Sequence, residues 1–123
     1  MRRRAPHVVA VVRDLISASR IEEAVTSTGG TMTRLDDVAG LPSGEAVDLL
    51  FVDWAARQPG WDAAITDWRN AVDAAGAAQP RVILFGPHTD LAAHADARAA
   101  GLGPMRARSA FFSSLPDLLA AGR

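Results

Sequence analysis

Cysteine is absent from the 123 residues, which removes disulfides, thiolate nucleophiles and cysteine metal sites together and fits a reducing compartment. Lysine is absent as well. All 13 basic residues are arginine, so no mechanism that turns on a titrating lysine is open to the chain. Neither sign of charge is in excess. A net charge of -1 gives no broad cationic field for nucleic acid, and Arg2 to Arg4 with a few scattered arginines do not make one. Long apolar runs are missing too, so no segment approaches a membrane span. The nearest imitation of a secretory leader, Met1-Arg2-Arg3-Arg4 followed by Val8 to Val12, is cut short by Arg13 and Asp14. The composition, 49% hydrophobic and 22% charged, is that of an ordinary globular protein. It leads us to expect one cytoplasmic domain over residues 1–123, with 1–6 a frayed basic start.

What is present is organised around Val47-Asp48-Leu49-Leu50-Phe51-Val52-Asp53-Trp54. Consecutive large apolar residues with no polar alternation fit a strand covered on both faces, as in a parallel sheet between helices. Asp53 falls at the carboxyl end of that strand, where open α/β sheets place their chemistry; the plainer reading is a cap on the following loop. His7 to Val12 reads as a second buried strand, with Arg13-Asp14 at its end. Helical spacing follows in Ala18, Ile21, Ala24, Val25 and Thr28, stopped by Gly29-Gly30. Thr31 to Leu35 alternates like an edge strand, and Leu41-Pro42-Ser43-Gly44 allows only a short helix in 36–44.

The clearest helix has Trp61, Ala64, Ile65, Trp68, Ala71, Val72 and Ala75 on one stripe and ends at Gly76. Both tryptophans read as core. Val82 to Phe85 is another buried strand, closed by Gly86-Pro87, and Thr89 or His88 caps a helix to Ala100 with Leu91, Ala95, Ala99 and Leu102 inward. Pro104 to Arg108 is a weak last strand. Ser114-Leu115-Pro116-Asp117 opens a short helix that packs Leu115, Leu118 and Leu119. Alternating strands and helices imply an α/β fold with one doubly wound, five-stranded parallel sheet of flavodoxin-like type. Its expected order is 2-1-3-4-5, because the first and third strands are the most apolar. That order brings Asp14 and Asp53 together.

On Asp14 after the first strand, Asp53 closing the third, the element order and Ala99-Ala100-Gly101 before the last strand, the sequence resembles the receiver domain of two-component response regulators over nearly its whole length. The resemblance makes Asp53 the equivalent of the phosphoryl acceptor. It implies a magnesium ion held by Asp14, Asp53 and the carbonyl of Ala55, a hard-oxygen set that suits that metal. Several positions depart from the pattern. Arg13 replaces one of two adjacent acids, Gly86 stands where the family has the serine or threonine of its switch, and Arg108 replaces the lysine. Ser109 stands for the proline after that lysine, and Arg57 for the proline four residues past the acceptor.

The family pocket, with three carboxylates, a lysine and a magnesium, sums to about zero charge. Asp14 and Asp53 facing Arg13 and Arg108 also sum to zero, with no metal. We therefore expect one or both arginines to close over Asp53 as a permanent ion pair with bidentate geometry. Metal binding and phosphoryl transfer would then be weak, and no cofactor is expected. Function moves to a surface, expected to include Leu91, His94, Arg98, Arg106 and Leu118 with Phe111-Phe112 at its margin, at least one phenylalanine being core. The expectation is a stand-alone receiver-like signalling module that is not an enzyme and works by contact with a protein: a histidine kinase, an output protein or a second copy. The first alternative is a response regulator phosphorylated on Asp53 with Mg2+ as cofactor. Flavin binding would need a glycine-bearing phosphate loop, which Arg13 to Ser19 lacks. A hydrolase would need a nucleophile elbow or metal-ligand spacing, and His88, His94 and the serines of 109–114 show neither.

Overall fold

The structure is a computed structural model and describes residues 5–43 and 46–121, the side chain of residue 121 excepted. Arg2 to Arg4 of the expected frayed start, and Gly44, lie outside the described residues. Residue 6, included in that expectation, is held in the fold. Pro6 is buried, and its carbonyl accepts a 3.0 Å hydrogen bond from the Thr31 amide.

Five strands form one parallel sheet: β1 (His7–Val11), β2 (Thr31–Leu35), β3 (Leu49–Asp53), β4 (Arg81–Gly86) and β5 (Arg106–Ala107). Their order, β2-β1-β3-β4-β5, is the one the apolar content of the first and third strands predicts. Strand side chains alternate between faces, and the burial follows that alternation. Val8, Ala10, Leu49, Phe51, Ile83 and Phe85 face one core; Val9, Val11, Leu50, Val52 and Leu84 face the other. Every residue of β3 is buried, as its run of apolar residues requires. The first core is closed by α1 (Leu15–Ser27), α4 (Arg108–Ser113) and α5 (Leu115–Ala121), the second by α2 (Trp61–Ala74) and α3 (Leu91–Ala99).

Several expected boundaries move for identifiable reasons. Trp54 leaves the sheet in a short 3-10 turn, Trp54–Ala56, so β3 is shorter than 47–54. Only a 3-10 turn, Val38–Gly40, forms before Pro42. The cap of α3 is Asp90, whose Oδ1 accepts from the Ala93 amide at 3.0 Å, and not Thr89 or His88. Ala93, Ala97 and Leu102 point inward, while Leu91 is 77% exposed and Ala95 and Ala99 face outward.

The largest departure is α4. It begins at Arg108, directly after a β5 of only two residues, and carries both Phe111 and Phe112 into the first core. Phe111 stacks on Phe85 with centroids 4.3 Å apart and meets Phe51 edge-on at 5.0 Å; Phe112 meets Phe85 at 5.8 Å. Arg20 lies over the Phe112 ring, 4.0 Å from its centroid.

Candidate functional site

Asp53 is the last residue of β3 and continues the face that carries Leu49 and Phe51, so it looks toward α1 and α4. It is 7% exposed. A carboxylate this deep needs a compensating group. Arg108, the first residue of α4, supplies one: its Nη2 donates to Asp53 Oδ2 at 3.4 Å. The same guanidinium donates through Nη1 to Ser17 Oγ at 2.8 Å and lies over Phe85, 5.3 Å from the ring centroid. Ser17 in turn donates to Asp14 Oδ2 at 2.6 Å. Asp14 and Asp53 are therefore joined, through Ser17 and Arg108, at the carboxyl edge of the sheet.

Asp14 also caps α1, with Oδ1 accepting from the Ile16 amide at 3.0 Å. The Ser17 hydroxyl, and after it the Ile16 amide, holds the Asp14 carboxyl below the usual aspartate range; the Arg108 charge adds to this and desolvation opposes it. A lowered folded-state value means that the cap contributes fully above the ordinary carboxylate pKa and is lost as the pH falls through the folded value. Acid titration should therefore expose the Ile16 and Ser17 amides to exchange as Asp14 protonates. Asp14→Ala should show no protection there relative to the intrinsic exchange rate at any pH, and protection that is still lost with acid in that variant would contradict the assignment.

Two of the expected features are corrected. Arg13 does not close over Asp53: it is exposed, and its Nε donates to the Asp36 carbonyl at 3.1 Å, because Arg13 leaves β1 on the side of β2. Arg108 makes a single 3.4 Å contact to Asp53, not a bidentate fork, since its other arm is held by Ser17. Asp53 Oδ1 is buried and has no hydrogen-bond partner among the described residues, and neither has Trp54 Nε1. Arg57 turns the other way, to Asp96 and, through Nη1, to the Trp54 carbonyl at 3.1 Å.

Gly86 ends β4, one residue past Phe85, the register partner of Asp53. Ala55 is exposed in the turn that follows β3. Among the described residues, no three of histidine, cysteine, aspartate and glutamate group as a metal site. Of the expected surface, Leu91 and Arg98 are exposed and His94 and Arg106 half-buried. Phe111, Phe112 and Leu118 are not part of it: α4 and α5 fold all three into the core, at 0%, 8% and 5% exposure.

Ser17 is the member that reading the sequence for charge misses. It stands three residues after the capping Asp14, the spacing at which a first-turn side chain meets its cap. That spacing is the signal.

Two solved structures share this arrangement of elements. One is a response regulator from Thermotoga maritima, at a TM-score of 0.68 and 16% identity over 96% of this chain and 97% of that one. The other is a response regulator receiver protein from Burkholderia phymatum, at a TM-score of 0.59 and 19% identity over 94% and 95%. No protein-family model matches the sequence, and no curated protein does. The chain has the receiver fold, and Asp53 closes β3 at the carboxyl edge of the sheet.

Proposed function

We propose that the chain is a receiver-like signalling module that acts by protein contact and without phosphorylation. The observation that carries this reading is Arg108, which spans from Asp53 to the Ser17–Asp14 pair and supplies the positive charge between the two acids from within the chain. The donor set fits magnesium poorly. Both Asp14 oxygens serve α1, one on Ser17 and one on Ile16, and a guanidinium already sits beside Asp53. Hard cations take several oxygens at once, and those left over are Asp53 Oδ1 and the Ala55 carbonyl. Phosphoryl transfer to Asp53 would also lack the second cation that screens an incoming phosphate.

The module is not an enzyme on this reading, and it takes no cofactor. Asp14 at the start of α1 also argues against a flavin phosphate there, since a carboxylate already uses the amide that a phosphate would use. No helix among the described residues is long and apolar enough to cross a membrane, and the absence of cysteine suits a cytoplasmic setting. The partner is a protein, and the α3–β5 face, with Leu91 and Arg98 exposed and His94 and Arg106 half-buried, is where we place the contact.

The competing reading, a response regulator phosphorylated on Asp53 by a histidine kinase, draws on the unpartnered Asp53 Oδ1. Magnesium with beryllofluoride separates the two. Followed through the indole Nε1–H resonance of Trp54, the neighbour of Asp53, the protein should give no saturable change. A saturable shift that disappears in Asp53→Asn would establish phosphorylation instead.

A further inference from the structure

A β-carbon placed on Gly86 would lie 2.9 Å from Met105 Sδ and 3.2 Å from Met105 Cε, with the Ala55 Cβ at 3.6 Å. These first two distances are inside van der Waals contact. Gly86 is not among the glycines with positive φ, which are Gly29, Gly60, Gly76 and Gly101. Its backbone does not call for glycine, and a side chain there would meet the end of the Met105 side chain, which would have to shift. Met105 is 4% exposed and belongs to the core of Val52, Trp54, Leu84, Ala97 and Leu102. An unbranched thioether is suited to filling a gap of irregular shape.

The location gives this packing its meaning. Gly86 pairs with Ala107 across β4 and β5, Ala55 is two residues past Asp53, and Met105 immediately precedes β5. The thioether therefore fills a notch bounded by the end of β4 and the turn after Asp53, on the face of the sheet that carries α2 and α3. We infer that Met105 is a fixed plug in this notch, which holds the edge beside Asp53 in one arrangement. Any side chain that was to move there in response to a change at Asp53 finds the space taken. That consequence rests on the phosphorylation-independent reading above, whereas the plug itself is a statement about packing.

Urea unfolding of Gly86→Ser, Met105→Ala and the double variant tests the packing. Gly86→Ser should lower the midpoint because the thioether must leave its place, and Met105→Ala should lower it by opening a cavity. The double variant should lose less than the sum of the two, since the serine enters the vacated space. Strictly additive losses would overturn the plug, as would a Gly86→Ser midpoint equal to that of the unmodified protein. The 13C-labelled methyl of Met105, assigned by its loss in Met105→Ala, gives a readout that does not depend on stability. It should give one resonance in the unmodified protein, displaced in Gly86→Ser. Exchange between two positions in the unmodified protein would overturn a fixed plug. A beryllofluoride response at Trp54 with the Met105 methyl unmoved would refute phosphorylation independence and support the plug.

Discussion

Phe111→Ala should lower the unfolding free energy by about 3–5 kcal/mol, the usual cost of truncating a buried aromatic. Phe111 is fully buried and is the centre of the phenylalanine group, stacked on Phe85 and edge-on to both Phe51 and Phe112. Its removal opens a cavity between α4 and the central strands and also forfeits the ring-to-ring geometry. It should loosen α4 as well, which has no side-chain cap at its start. Since Arg108 is the first residue of α4, the Arg108 side-chain resonances should broaden or shift in Phe111→Ala. Chemical denaturation gives the energy, and a loss under 1 kcal/mol would mean that Phe111 is not packed as described.

Arg108→Ala should cost about 1–3 kcal/mol, because it leaves a buried carboxylate without its cation and Ser17 without its donor. The lower part of that range is favoured by the 36% exposure of the arginine side chain and by the length of the contact. Arg108→Lys should recover only part of the loss, since one ammonium cannot hold Ser17 and Asp53 in the geometry of a two-armed guanidinium. In an Asp53→Ala background the Arg108→Ala loss should shrink. Equal losses in the two backgrounds would mean that the pair contributes nothing.

These two predictions concern parts of the molecule that differ in how far the sequence reveals them. The sheet is legible because burial on both faces forces continuous apolar runs. Val8 to Val12 and Leu49 to Val52 could not be surface segments, and putting them at the centre fixes the neighbours of the other strands. Asp53 is legible by position, as the polar residue that ends such a run. The helix α4 is not. Its six residues carry two adjacent apolar side chains and no capping side chain, so it has neither helical period nor start signal. Of Phe111 and Phe112, at least one therefore reads as core and the other as a surface margin, and the packing of both rings on Phe85 brings both inside.

The charge count at the site has the same limit. It correctly requires a cation near Asp53, but which arginine reaches it depends on where α4 begins, and Arg13 and Arg108 look equivalent in the sequence. At α3 both the cap and the inward face differ from the expectation: Asp90 caps the helix, and Ala93 and Ala97 are buried while Leu91 is exposed.

The brevity of β5 limits how this protein can associate. A strand at the margin of a sheet invites a foreign strand to continue the ladder in proportion to the backbone it leaves unpaired. With only Arg106 and Ala107 in extended pairing, that margin offers too little for such an addition, and a turn of helix follows at once. A neighbour arriving on this side must therefore be gripped by side chains projecting from the surface.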